Sequence, residues 1–499
     1  MRSIVESRPP LLRYIPIAGI ISLSSPLKRQ VLTVKQFDVM VIGMGPAGMA
    51  VSAMGAAMGL SVLSIEKHKV GGECLNCGCI PSKALLKAGE AVHSARNLKK
   101  YGIEGEFHMS PSDPMQVVRD KILGINDKKF QKAFERATLI QGTAEFLDDR
   151  TVQVNGESYT AKKIFIAAGT EPFIPPIPGL RDIPDILTNV NMFEIEKMPE
   201  SLTIIGGGAI GSEMAQAFSR LGTKISLVHM DPHLVPVGDE EAAGVLQEAF
   251  EREGIAVHNG AKITGVSMKN GKILTVADTT TLESERILVA TGRKPVLEAL
   301  RLEKAAVEFT KRGIVVDSHM RTNRPHIYAV GDCNGQSLLS HAAMHQGMLA
   351  LMHSLSPFSL PMLKRERYVV PWSVFTEPEI AQVGMTEKEA REKGLKIQVV
   401  KKAFRSYGRT VADGHPEGFV KVVVDARGRI YGATIVGEAA SELIHEWTIA
   451  IQYKKRMHHV MMMQHAFPSV SMINKMVAED WMMEKMKSGW MRKLVNLLK

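Results

Sequence analysis

Cysteine is scarce in this chain, with four among 499 residues. That excludes a disulfide scaffold, in which bridges substitute for a large core. Long apolar runs are missing as well. No stretch of 18 apolar residues occurs, so hydropathy marks no spanning helix. No recognisable nucleic-acid module accompanies the formal net charge of +10, which therefore points to an anionic ligand or surface and not to DNA or RNA. Acids nearly vanish from residues 1–36, where Arg2, Arg8, Arg13, Lys28 and Arg29 face Glu6 alone, with Pro9, Pro10, Pro16 and Pro26 interspersed. Two readings of this extension stay open. It is a tail outside the fold, or a targeting or membrane-contacting segment. Its apolar run YIPIAGIISL is interrupted by Pro16 and lacks a convincing small-residue cleavage pattern.

What is present is ordinary for a folded protein: 45% hydrophobic and 23% charged residues, and enough chain for three or four domains. Near the start, FDVMVIG reads as a buried strand, followed by Gly43-x-Gly45-x-x-Gly48, a small-residue helix, and a second strand, SVLSIE, ending at Glu66. The first glycine permits a tight turn, the second lets backbone approach a pyrophosphate, and the third allows close helix packing. A carboxylate at the second strand's end holds a ribose. The same design recurs at SLTIIGGGAIGSEMAQAFSRLGTKISLVH, with Gly206, Gly208 and Gly211. Two such units predict two dinucleotides whose reactive rings meet. The second strand here ends on His229, followed by Met230 and Asp231, so neither a carboxylate for NADH nor an adjacent arginine for NADPH is in place.

KKIFIAAGTEPFIPPIPG, SERILVATGRKP and RPHIYAVGDCNG each read as a strand running into a turn, the last ending at Gly331-Asp332. The chain is expected to build one domain, insert a second, and return to finish the first. From about Tyr368 the pattern changes to alternating strands, GFVKVVVDARGRIYGATIVG, flanked by helical stretches, which predicts a separate α+β domain.

Three of the four cysteines lie in GGECLNCGCIPSK, at Cys74, Cys77 and Cys79. Pro81 suits the first turn of a helix, which places Cys79 just before it, where unpaired backbone N–H groups and the helix dipole favour a thiolate. A Cys74–Cys79 disulfide would close a small ring beside the first dinucleotide, in a place where catalysis explains it better than structure does.

CLNCGCIPSK, both GxGxxG units, ATGRKP, YAVGD and FTEPEIAQVGMTEKEA fall in the order seen in the flavin-dependent pyridine nucleotide–disulfide oxidoreductases. The chain resembles that family over roughly residues 36–480. Its members include dihydrolipoyl dehydrogenase, glutathione reductase and mercuric reductase. The resemblance implies an α/β fold: two Rossmann-like dinucleotide-binding domains, for FAD and NAD(P), plus a C-terminal α+β dimerisation domain. The expected divisions are 1–36, 37–162, 163–289, 290–365, 366–478 and a basic amphipathic C-terminal helix, 479–499. It implies FAD held by Gly43, Gly45, Gly48, Glu66 and Asp332, and NADH or NADPH at Gly206–Gly211. Lys67, Gly72, Gly169, Gly331, His229 and Gly292 are further cofactor-binding candidates. Cys79 resembles the flavin-facing thiol and Cys74 the thiol that meets substrate. Lys83 and Glu213 resemble the buried pair beside the flavin. A cytoplasmic homodimer is implied, with a small-molecule or protein thiol/disulfide as acceptor.

The departures are as informative as the matches. Relatives reducing lipoamide or glutathione place a histidine immediately before a proline, oriented by a glutamate five residues after it. Here Phe467 precedes Pro468, and Met472 stands at the glutamate position. His465, two residues earlier, has no glutamate following to orient it and is an auxiliary candidate. Ala209 stands where several relatives place a tyrosine over the flavin. Cys77 is extra, read either as a small buried side chain or as a third redox thiol or soft-metal ligand. Its C-x-C spacing with Cys79 argues against structural zinc, and no metal site is expected. Mercury is disfavoured because KSGWMRKLVNLLK carries no cysteine pair. Ten methionines between Met457 and Met491 are core fillers or soft ligands. The stripe Trp481, Met486, Trp490, Leu494 and Leu497, amid basic residues, fits either docking on protein or peripheral contact with an anionic membrane.

Overall fold

The computed structural model describes residues 35–108, 113–125, 134–487 and 497. The basic extension therefore lies outside the described residues except for Lys35 and Gln36, which belong to the first strand.

That strand, β1 (Lys35–Ile42), alternates between two cores. Val39 and Val41 pack with Val51 of α1 (Pro46–Ala57), whereas Met40 and Ile42 pack with Leu63, Phe146 and Ile164 on the opposite face. Burial on both faces is why FDVMVIG is apolar throughout instead of alternating. Parallel neighbours are β2 (Val62–Glu66) and, beyond it, β3 (Thr138–Gln141). Between β2 and β3 the chain forms α2 (Gly72–Asn76) and α3 (Cys79–Arg96). On the other side of β1 lies β6 (Glu157–Ile166), which turns back on the antiparallel pair β5 (Thr151–Val154) and β4 (Glu145–Phe146).

The division expected at 162/163 cuts β6 and is corrected here. Val39 pairs with Lys163 and Ile42 with Ile166, so the segment read as opening the second domain completes the first sheet. The second sheet begins later. It has β7 (Ser201–Ile205) and β8 (Lys224–Val228) at its centre, β9 (Ala256–His258) on one edge and β10 (Arg286–Val289) on the other, all parallel. The helix α4 (Ala209–Arg220) joins β7 to β8. The chain then returns to the first sheet: β11 (Ile327–Ala329) pairs with β6 and leads into α5 (Ser340–Leu355).

The last region is a five-stranded antiparallel sheet in the order β12 (Trp372–Val374), β13 (Glu379–Gly384), β16 (Ile430–Gly437), β15 (Phe419–Val424), β14 (Gln398–Ala403). Helices α6 (Ala440–Gln452) and α7 (Met472–Met486) complete it. Trp447, Ile473, Val477 and Trp481 share one core with Val420, Val422 and Ile435. The division expected at 478/479 therefore falls inside a continuous helix. Trp481, assigned to the amphipathic stripe, is 7% exposed within that core. Met486 is exposed, as is Leu497, while Trp490 and Leu494 lie outside the described residues.

Two buried ionic clusters tie the sheets together. Lys421 donates to Asp239 at 2.9 Å and Glu241 at 2.7 Å, with Glu387 at 3.1 Å. Arg220 pairs with Glu253 at 2.7 Å and Glu377 at 2.6 Å. No helix among the described residues is long and apolar enough to cross a membrane.

Candidate active site

The glycine loops form first. Gly43 has φ +98°, a conformation other residues rarely adopt, and an added Cβ would overlap the Ala167 carbonyl. At Gly48 a Cβ would overlap the Gly43 carbonyl, so the loop closes onto α1 only with glycine. Gly72, at φ +56°, brings its backbone against Gly45, where its Cβ would lie 2.8 Å from the Gly45 Cα. The first turn and the start of the cysteine segment are thus side by side. Glu66 closes this loop: its Oε2 accepts from Met44 N at 2.7 Å and its Oε1 from His68 N at 2.8 Å. Lys67 is exposed. Gly169 has φ +68° with open space where a Cβ would stand, and Gly331 packs between Ala47 and Ala343. Burial raises the Asp332 carboxyl above its usual pKa, and Thr170 Oγ1 donates to it at 3.4 Å. These small, open backbone surfaces beside two acids fit a dinucleotide such as FAD.

The second loop repeats the arrangement. Gly206 has φ +114°, Gly211 closes against the Gly206 carbonyl, and open space lies beside Gly208 and Gly292. Ala209 is exposed at the start of α4. His229 is buried at the end of β8, with Nε2 2.6 Å from Asn259 Oδ1 and its ring packed against Gly207. Its Nδ1 has no hydrogen-bond partner and lies 3.9 Å from the Asp231 carboxylate.

The cysteine segment differs in one detail from expectation. Cys74 lies within α2, and α3 already begins at Cys79, so Cys79 occupies the first helical turn and not the residue before it. The local reason is Gly78, whose Cβ would lie 2.9 Å from the Glu73 carbonyl oxygen, so the two short helices abut. Both cysteines are free thiols. The hydrogen bond between them raises the Cys74 pKa and lowers that of Cys79 well below the ordinary 9.0; Ser340 and the Lys83 charge add to the lowering. The Ser340 Oγ lies 3.2 Å from Cys79 Sγ.

Lys83 and Glu213 form an ion pair. The ammonium donates to both carboxylate oxygens, at 3.0 and 2.8 Å, across 130 positions of sequence. The Glu213 side chain is 5% exposed, and the Phe375 N–H donates to it at 3.1 Å. The ammonium also lies 4.4 Å from the centre of the Phe375 ring.

Cys77 stands apart from this group. Burial pushes its thiol up to about 12, and the charges acting on it are first Glu73 and then Arg293. Those two residues form an ion pair. Arg293 also donates to Thr170 Oγ1 at 2.7 Å and to Asn189 Oδ1 at 3.3 Å, while Asn189 donates to Glu73 at 3.0 Å. This clamp fastens the cysteine segment to the ATGRKP turn. Sequence reading missed it, as it missed Ser340, because its members are dispersed along the chain. The one local signal was the charge of Glu73 beside Cys74.

The segment before α7 holds the second surprise. Phe467 is 79% exposed. His465 does have a glutamate, supplied not by the following residues but by α6: Glu446 Oε1 and Oε2 lie 3.1 and 3.2 Å from its Nε2. Asn474 donates to Glu446 at 2.9 Å and accepts from Trp447 Nε1 at 2.8 Å. The His465 side chain is only 5% exposed, and its Nδ1 is buried without a partner. Among the described residues, no group of three or more His, Cys, Asp or Glu is arranged to hold a metal.

Comparison with known proteins identifies the family. The family model for pyridine nucleotide-disulphide oxidoreductases matches residues 37–347, and the family's dimerisation domain matches 370–477. A dihydrolipoyl dehydrogenase of Thermus scotoductus is 36% identical over 88% of this chain and 95% of its own. A mercuric reductase of Bacillus cereus is 34% identical over 84% of this chain and 67% of its own. Among solved structures, the HOCl-induced flavoprotein disulfide reductase RclA from Escherichia coli superposes with TM-score 0.79 at 24% identity, covering 89% of this chain and 98% of that one. The dimerisation domain makes a homodimer the family assembly, and FAD and NAD(P)H are the family's cofactors. The chain belongs to the pyridine nucleotide-disulphide oxidoreductases, enzymes that couple a nicotinamide coenzyme to a flavin and a redox-active disulfide.

Proposed function

We propose that this enzyme uses Cys74 and Cys79 to deliver electrons from NAD(P)H to an acceptor that needs little proton management. Such acceptors are an acidic thiol's disulfide, a persulfide or polysulfide, or a soft metal ion. FAD, when bound, supplies the two-electron exchange between coenzyme and disulfide. The chain's own residues do the rest. Cys79, in the first turn of α3, is held as a thiolate by the Cys74 hydrogen bond, Ser340 and Lys83. Glu213 fixes the Lys83 ammonium in the site, and the neutral Cys74 thiol is the partner for substrate.

The observation that carries this reading is one contrast. The thiol pair and its ion pair are assembled, while Phe467 stands at the position where relatives that reduce lipoamide or glutathione place a base. A general base typically contributes about 10²–10⁴ in rate, so its loss separates the two half-reactions. His465 does not fill the gap in this reading, because both its nitrogens are committed or buried. Anaerobic reduction by NADH and by NADPH, followed by disulfides, polysulfide, Cu(II), Hg(II) and quinones, tests the proposal. Rapid reoxidation by polysulfide or a metal ion, with slow exchange against lipoamide, is expected. Efficient dihydrolipoamide turnover would instead favour a dihydrolipoyl dehydrogenase with a relocated base. Failure of both coenzymes to reduce the flavin would leave only a non-catalytic flavoprotein role.

A further inference from the structure

Helix α2 carries Cys74 but is too short to hold itself in place. It has five residues, well under the roughly 12–15 at which an isolated helix becomes marginally stable. Gly71 and Gly72, at φ +95° and +56°, stand at its start, and Gly78 follows its end. Leu75 is buried, and Asn76 Nδ2 donates to Val70 O at 3.1 Å and Gly72 O at 2.8 Å. Those Asn76 bonds stay within the segment. Glu73 reaches outside it. Its Oε2 accepts from Arg293 Nη2, and from Asn189 Nδ2 at 3.0 Å. Arg293 is itself fixed, with Nη2 donating to the Thr170 carbonyl at 2.8 Å and Nε to Thr170 Oγ1 at 2.7 Å. The segments Thr170–Pro172 and Arg293–Pro295 pair antiparallel, where the chain leaves the first sheet and where it comes back. The polar anchor of α2 is therefore the stem that joins the two sheets.

Cys74 follows Glu73 directly, and its hydrogen bond is the largest single influence lowering the Cys79 pKa, ahead of Ser340 and the Lys83 charge. Hydrogen bonds weaken steeply as distance and angle drift, so this one depends on where α2 is held. We propose that Glu73, clamped by Arg293 and Asn189, is a positioning residue that keeps Cys74 within hydrogen-bonding reach of Cys79. The proposal rests on the reading of Cys74 and Cys79 as the redox pair. Glu73 acts here through its anchor and not through its charge, and the two effects have opposite signs. A carboxylate near a thiol disfavours the thiolate, as Glu73 does at Cys77 in addition to burial. Removing that charge alone would favour the Cys79 thiolate. Releasing α2 removes the Cys74 hydrogen bond and disfavours it.

The test uses FAD-loaded enzyme reduced anaerobically by two electrons. Its long-wavelength absorbance, from the Cys79 thiolate against the flavin, is followed as pH is varied. Glu73→Ala should move the midpoint upward by about one pH unit, and Arg293→Met should move it the same way. Glu73→Gln keeps an oxygen for Arg293 and Asn189 and should stay close to wild type. The double variant Glu73→Ala/Arg293→Met should shift no further than the larger single shift, because one anchor is lost only once. Glu73→Thr repeats the sign test in case Glu73→Ala does not fold. Lower stability alone weakens the band at every pH and leaves its midpoint in place. An unmoved or lowered midpoint in the Glu73 variants would overturn the positioning role. So would a double variant returned to the wild-type midpoint, which is the signature of two cancelling charges. Absence of any long-wavelength band in reduced wild type would instead overturn the redox-pair reading, and the positioning role with it.

Discussion

The cysteine segment and the loop before α7 are both short, and both face the question of proton and electron control, but they are built in opposite ways. Around Cys79 the polar groups meet partners drawn from distant parts of the chain: Lys83 with Glu213, Glu73 with Arg293, Cys79 with Ser340. Around Phe467 the polar groups turn inward. His465, Glu446, Asn474 and Trp447 form a chain of hydrogen bonds that holds the loop to α6 and α7. One region is organised to stabilise a thiolate. The other is organised to hold a loop in place. On the proposed function, electron entry is kept while electron exit is altered.

The sharpest way to break the comparison is to remove its first half. Cys79→Ser should reduce acceptor turnover by about 10³-fold or more, because groups acting as a unit fail together, while coenzyme still bleaches the flavin in a stopped-flow trace. The converse experiment rebuilds the second half. Phe467→His combined with Met472→Glu should raise dihydrolipoamide oxidation by about 10²-fold and give it a pH profile with a histidine-like inflection. No gain in the double variant would show that the missing base is not what limits that substrate.

A smaller effect concerns pH. The Cys79 thiolate forms above a pKa lying well below the ordinary 9.0, so its long-wavelength absorbance with the flavin should persist at neutral pH and fade as pH falls through that pKa. Lys83 lowers that pKa, so Lys83→Met should move the midpoint upward, and spectrophotometric titration reads the shift directly. The smallest effect is expected at Cys77. Its thiol is held neutral by burial and answers to Glu73 and Arg293, so Cys77→Ser should leave flavin reduction and acceptor rates within about twofold.

Much of the fold was legible because it is written locally. Glycine spacing and continuous apolar strands marked both dinucleotide units, since a tight turn at Gly43 or Gly206 tolerates little else. The error at β6 arose because a strand ending in a glycine turn reads alike whether it closes one sheet or opens the next; only its pairing with β1 decides. The boundary error at 478/479 had a similar cause, because Trp481 suits an amphipathic surface as well as the core it occupies. The thiol pair could be proposed from its segment, but its surroundings could not. Ser340, Arg293 and Glu446 reach their partners across 261, 220 and 19 positions, and nothing in their immediate neighbours marks them. No glutamate follows His465 because its acid, Glu446, comes from α6, 19 positions earlier.

The central claim is that the coenzyme-facing half is intact while the lipoamide-facing half is impaired. Rapid-mixing measurement of the two half-reactions on the same anaerobic enzyme tests it most directly. The account predicts fast flavin reduction by NADH or NADPH with a long-wavelength band that depends on Cys79, and reduction by dihydrolipoamide slower by about 10² or more. Comparable rates from both sides, with a single base-like pH dependence, would contradict it.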